Sequence, residues 1–256
     1  MDLNSDVGES FGAWRLGQDE ALMAVITSAN IACGFHAGDP GVMRETVALA
    51  RAHGVALGAH PGFPDLAGFG RREMRCTPRE VEDAVVYQIG ALAAVAAAQG
   101  LRLQHVKAHG ALYNMACRDA ELAAAIARAT AAVDRSLVLF GLPGSALLAA
   151  GEQAGLCVAA EVFADRAYNP DGSLVSRARP GSVITDETEV VRRAVRMAAD
   201  HEVEAVDGSR VALAGATMCV HGDTEGAAAL AAAIRRALEG HGVELGPLGA
   251  DTPTKM

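Results

Sequence analysis

The stretch Ser28–Gly41, SANIACGFHAGDPG, decides how this chain is read, because it packs a buried strand, a glycine turn, a histidine and a helix start into one short segment. Ile31, Ala32 and Cys33 form an apolar run of the kind shown by a parallel strand covered on both faces, and Gly34 breaks it. Asp39-Pro40 then has the form of an N-cap followed by a proline at the first helical position. His36 is thereby placed on a strand-to-helix loop, the position where parallel α/β barrels carry their chemistry.

Outward from this stretch the pattern recurs. Residues 1–6 read as a first strand with Asp2, Asn4 and Asp6 on one face and Leu3 on the other. Val55–Ala59 leads into His60-Pro61-Gly62, and Gln104–Ala108 delivers Lys107 and His109 on one face, with Tyr113 and Asn114 just beyond. Leu137–Phe140 and Val158–Phe163 are further strands, the second carrying Glu161 and followed by Asp165-Arg166. Thr217–Val220 ends in His221-Gly222-Asp223, while Val211–Ala214 reads as a strand or half of a small hairpin.

Between the strands lie helical signals. These are Asp19–Val25, Pro40 to about His53 with Gly54 as the stop, Glu121–Ala132, a Thr185-capped helix to about Asp200, and roughly Glu225–Leu238. Thr77-Pro78-Arg79-Glu80 is a capping box opening a helix whose Val81, Val85, Ile89 and Leu92 recur at three or four. Tyr168-Asn169-Pro170-Asp171-Gly172 is turn chemistry, so 165–181 is expected as a hairpin or lid. Alternating strands and helices imply a parallel sheet with right-handed crossovers. The expected fold is α/β, a parallel TIM-like barrel of seven or eight strands, with an open sheet as the alternative. It is expected as one domain over 1–246, with 247–256 a flexible tail.

At 256 residues, 51% hydrophobic, the chain is long enough for one large core. A net charge of -9 excludes the clustered cations of a nucleic-acid or anionic-membrane surface. The five cysteines include no C-x-x-C pair and read as reduced thiols. MDLNSD offers no basic segment followed by an apolar one, and the alanine-rich runs are too short and weakly apolar to span a bilayer. The expected location is cytoplasmic.

Four of the eight histidines, His36, His60, His109 and His221, fall beside or near glycine at strand ends, and four such positions around one rim converge in space. The other four read as incidental. The chain holds only two lysines, Lys107 and Lys255, so an interior Lys107 suggests a task arginine does not perform. Its structural alternative is an ion pair inside the barrel with Asp6 or Glu161. Asp39 and Asp223 suit helix N-caps and also the border of a phosphate site. Arg71-Arg72 is either a solvated charge run or a clamp for phosphate or carboxylate. Histidine with Asp or Glu also suits a divalent metal, but no H-E-x-x-H spacing is present, and no G-x-x-x-x-G-K-[ST] or G-x-G-x-x-G loop either.

The blocks DLNSDVGESFG, SANIACGFHAGDPG, GAHPGFPDLAGFGRREM, VKAHGALYN, EVFADRAYNPDGSLVSR and CVHGD together resemble the LamB/YcsF lactam-utilisation family over about residues 1–245. Ser5 and Ala108 depart from the family pattern, where Cys and Pro are common. The resemblance implies a distorted barrel related to the glycoside hydrolase and polysaccharide-deacetylase folds. It also implies the A component of an ATP-dependent 5-oxoprolinase, opening 5-oxoproline to L-glutamate with Mg-ATP, alongside subunits B and C. On that footing Lys107 and one of Arg71 or Arg72 would neutralise the transferring phosphoryl group, and His36, His109 or His221 would act as general base. Asp6 and Glu161 would orient them. Asn4 and Asn30 would bond the lactam amide and Arg166 its carboxylate, with Asp39, His60, Tyr113 and Asp223 lining the substrate or phosphate site. The alternatives are a metal-dependent amidohydrolase or deacetylase that does not use ATP, and a non-catalytic, ligand-sensing component.

Overall fold

The computed structural model describes residues 1–222 and 226–248. Seven strands close a parallel barrel: β1 (Asp2–Val7), β2 (Ser28–Ala32), β3 (Ala56–His60), β4 (Leu103–Val106), β5 (Val138–Gly141), β6 (Val158–Phe163) and β9 (Thr217–Val220), the last pairing with both β6 and β1. Helices α1 (Asp19–Met23), α2 (Pro40–His53), α3 (Pro78–Ala97), α4 (Gly110–Ala116), α5 (Ala120–Val133), α6 (Ala146–Gln153), α7 (Glu187–Ala199) and α8 (Ala227–Gly240) connect them.

No eighth barrel strand forms among the described residues. The 211–214 segment joins instead a two-stranded antiparallel ribbon of β7 (Glu202–Glu204) and β8 (Arg210–Ala212), apart from the barrel.

Local chemistry accounts for the element ends. Asp39 accepts from Gly41 N–H at 2.8 Å and Val42 N–H at 3.0 Å, and Gly54 closes α2 at φ 68°. Thr77 and Glu80 form the reciprocal capping box of α3. Along α3 the side chains of Val81, Val85, Ile89 and Leu92 are buried, each contributing about 1.5–3 kcal/mol relative to exposure.

Two expectations shift. The cap of α7 is Asp186 rather than Thr185, its carboxylate accepting from Glu189 N–H at 2.8 Å. The tail expected from 247 is ordered at its start: Leu248 packs on the Val138, Phe140 and Ala159 cluster at the amino-terminal end of the barrel. The rest of that tail, and Asp223, lie outside the described residues.

The 164–183 segment is held over the rim by two buried arginines. Arg166 donates to the carbonyls of Val175 at 2.7 Å and Ser182 at 3.2 Å, and Arg193 to those of Ala164 at 3.0 Å and Arg166 at 2.7 Å. Isolated antiparallel bridges Arg166–Val183 and Tyr168–Leu174 give it hairpin character. Among the described residues no helix is long and apolar enough to cross a membrane.

Candidate active site

The period of two along each strand makes the barrel interior a stack of polar layers, an unusual filling for a space ordinarily packed with branched apolar side chains. At the floor, Asp2 accepts from Thr27 at 2.5 Å, Ser28 at 2.7 Å and Thr217 at 2.5 Å. Burial raises the Asp2 carboxyl despite these bonds.

One layer up, Asn30 donates to Asn4 Oδ1 at 2.7 Å and Asp6 Oδ1 at 2.8 Å, and Asn4 donates to Glu161 at 3.1 Å and Thr217 at 2.6 Å. The two asparagines therefore carry the pocket floor and do not line the pocket. His105, read as incidental in the sequence, is fully buried here. Its Nε2 bonds Asn30 Oδ1 at 2.7 Å and its ring stacks on Phe140 at 4.3 Å. Burial, with the Lys107 and His60 charges adding to it, brings its pKa down to about 3, so it is neutral. Gly58 makes room for it, since a Cβ there would stand 1.9 Å from the His105 Nε2.

Above this layer Lys107, 3% exposed, places its ammonium 2.8 Å from Asp6 Oδ1, 2.9 Å from Glu161 Oε1 and 3.0 Å from Cys219 Sγ. This is the interior ion pair that the sequence left as the alternative reading of Lys107. Burial opposes both charges, but the carboxylates and the thiol outweigh it and hold Lys107 well above the usual lysine range. Asp6, opposed by burial, is carried well below the usual carboxylate range by His60 and Lys107.

At the rim, His60, His109, His221, Tyr113, Arg71 and Arg166 line a narrow pocket of about 40 Å³ whose base is Asp6 and Lys107. His221 Nδ1 lies 2.7 Å from Asp165 Oδ2, and its ring stacks on Phe163 at 5.5 Å. Burial would raise Asp165, but the His221 charge and hydrogen bond outweigh it and hold Asp165 below its ordinary value. With Nδ1 engaged, His221 Nε2 is the nitrogen left for proton transfer.

His36 is fully buried and stacks parallel on His109 at 3.7 Å. Burial first, then the His60 charge, pushes His36 down; burial and the His36 charge do the same to His109. Phe69, at φ 54°, meets both rings edge-on. A non-glycine residue in that region stores strain of the kind that clusters at functional sites. Burial and the Glu161 charge push the Tyr113 hydroxyl up, so it stays protonated.

The paired arginines part company. Arg71 lines the pocket and sits 4.9 Å over the Phe69 ring, whereas Arg72 is mostly exposed and pairs with the buried Asp65 carboxylate. Asp39 serves as the α2 cap, also accepting from Gly12 N–H at 2.7 Å, and does not line the pocket.

Glu9, Asp165, Arg177 and Cys219 belong to the site but were not singled out in the sequence. The strand-end rule that found the histidines applies equally to Glu9 and Asp165, two residues beyond β1 and β6.

A closed parallel barrel with buried, mutually shifted ionisable groups at the carboxyl ends of its strands is the architecture of a barrel enzyme. The chain belongs to the LamB/YcsF family, whose model matches residues 1–252. It is 58% identical over 245 residues to a Bordetella parapertussis protein named as the A subunit of 5-oxoprolinase, covering 96% of this chain and 97% of the relative. It is 53% identical to the solved lactam utilization protein of Thermus thermophilus, with a TM-score of 0.90 and coverage of 96% and 98%. A Streptomyces lividans family 4 carbohydrate esterase superposes with a TM-score of 0.50 at 11% identity, a likeness of fold alone.

Proposed function

We propose that this chain is the A subunit of an ATP-dependent 5-oxoprolinase that works with subunits B and C. The observation that carries the reading is a site in two compartments. The small pocket shares Arg71, Arg166 and Arg177 with a neighbouring groove of about 760 Å³. In this reading the lactam takes the inner compartment and a nucleoside triphosphate, as Mg-ATP, the outer one, with arginines where the phosphoryl group would pass between them. The name of the 58% identical relative supplies the substrate class.

A lactam amide is unreactive toward water. Transfer of the γ-phosphoryl group to its carbonyl oxygen breaks the bond to ADP and leaves an imidate phosphate. Water then adds to the activated carbon, and loss of the ring amine gives an acyl phosphate. A second water releases phosphate and L-glutamate. Arg71, Arg166 and Arg177 would stabilise the phosphoryl charge and Arg166 the substrate carboxylate. His221, oriented by Asp165, would take the proton from water. Lys107 would present its ammonium beneath the reacting carbonyl while Asp6 and Glu161 keep it in place.

The test is 5-oxoproline-dependent release of phosphate and glutamate by purified subunits B and C at fixed Mg-ATP, with and without this chain. The reading requires turnover to depend on the chain. Glutamate release without ATP, or no effect on partners competent with another A subunit, overturns it.

A further inference from the structure

We propose that Glu9, His60 and His109 bind a divalent transition-metal ion at the barrel mouth, with one coordination position left open beside His36. His60 Nδ1 lies 2.7 Å from the Lys107 carbonyl oxygen, and His109 Nε2 lies 2.8 Å from the Phe69 carbonyl oxygen. A carbonyl only accepts, so both of these nitrogens carry hydrogen. In neutral rings the remaining atoms, His60 Nε2 and His109 Nδ1, are bare lone pairs, and they face one another at 2.9 Å. Two lone pairs at that separation repel unless a positive centre, a shared proton or a metal ion, lies between them, and Asp6 Oδ1, 3.4 Å from His60 Nε2, favours either. Histidine ligands commonly donate their second N–H to a backbone carbonyl in this way, which fixes the tautomer and aims the lone pair at the metal.

Glu9 Oε1 stands 3.7 Å from His109 Nδ1, and the donor atoms of Glu9, His36, His60 and His109, all buried, lie within 4.8 Å of one another. Bonds of about 2.0–2.1 Å in a tetrahedral site put ligand atoms about 3.3 Å apart, so distances of 2.9 Å and 3.7 Å close onto one ion with small shifts.

His36 is fully buried with neither ring nitrogen in a hydrogen bond. Its ring is within 3° of parallel to His109. In-plane lone pairs of parallel rings do not meet on one ion, so His36 is not a fourth ligand in this arrangement. Its Nε2, 3.7 Å from Glu9 Oε1, instead faces the open position, where a water supplies the missing partner. Three protein ligands with a fourth place open is the pattern of a catalytic rather than a structural zinc site.

Two imidazoles and a carboxylate suit zinc, cobalt, iron, nickel or manganese ahead of magnesium or calcium. A second cluster, Asp6, Cys219 and His221, is a poorer host, because Asp6 and Cys219 already face the Lys107 ammonium. The site stands independently of the reaction proposed above, and its test reads binding rather than turnover.

The experiment is titration of chelator-treated, tag-free full-length chain with Co²⁺ and Zn²⁺, followed by visible absorption and calorimetry. The expected result is one ion per chain, with the d–d absorption of four-coordinate cobalt. Affinity should fall at least tenfold in Glu9→Gln and in His109→Ala and stay unchanged in Cys219→Ser. Circular dichroism on each variant separates lost ligation from lost fold, and the near-isosteric Glu9→Gln keeps the test open should His109→Ala not fold. Three outcomes overturn the proposal. One is no stoichiometric binding by wild type, with nitrogen-15 NMR showing a shared proton between His60 and His109. Another is a thiolate-to-cobalt band abolished by Cys219→Ser. The third is wild-type affinity in a folded Glu9→Gln or His109→Ala.

Discussion

Replacing Lys107 with Met removes the interior cation while nearly keeping the length of the side chain, and isolates what that cation does for the fold. The wild-type ammonium sits 2.8 Å from Asp6 and 2.9 Å from Glu161, with Glu161 fully buried. Removing one partner of a buried ion pair costs about 3–5 kcal/mol, because the opposite charge is left without compensation. For a chain of this size that corresponds to a fall in Tm of roughly 6–20 °C. The loss should depend on pH with a definite sign. In wild type the depressed Asp6 contributes stability that is present above the unfolded carboxylate value and lost only as pH falls through its lower folded value. Without Lys107, Asp6 keeps the His60 and His221 contributions but loses one of the charges that depress it and moves upward, so the variant loses less stability than wild type on acidification. Urea unfolding followed by circular dichroism at pH 7 and pH 5 should give the larger difference from wild type at pH 7. A difference below about 1 kcal/mol at pH 7, or one equal at both pH values, would refute the reasoning.

Three further outcomes are expected. Gly58→Ala, whose Cβ would lie 1.9 Å from His105 Nε2, should cost about 1–3 kcal/mol or more, since that ring is confined against Phe140. A double-mutant cycle with His105→Ala should show strong coupling; additive costs would break the argument. Asp165→Asn should lower kcat of the assembled enzyme on the order of 10²- to 10⁴-fold through His221 while leaving the fold intact, and unaltered turnover would remove His221 as the base. The same variant should lose less stability than wild type as pH drops below about 4, because the depressed Asp165 carboxyl contributes above its unfolded value and loses that contribution on protonation. Unfolding curves between pH 3 and pH 6 measure it.

The barrel was legible in the sequence because its signals are local. A buried strand is an apolar run closed by glycine, and a helix start is a capping residue with proline or glutamate at a set distance. Asp39-Pro40 and Thr77–Glu80 form the caps their chemistry demands. The rim histidines were legible for the same reason, each standing at or just past a strand end. The family blocks carried the resemblance, and the family match spans residues 1–252.

What only the tertiary structure decided is what each side chain meets across the barrel. His105 and Gly58 are 47 residues apart, a separation no local pattern encodes, yet the ring occupies the space that the missing side chain leaves. Arg71 and Arg72 are adjacent in the sequence, and the turn at Gly70 sends one into the pocket and the other to Asp65. Whether seven strands or eight close the sheet was likewise settled by β9 reaching both β6 and β1. Local propensity determines which segments are strands and helices, whereas register, closure and the partners of buried charges depend on contacts distant in sequence, where desolvation makes each pairing strongly favourable or costly.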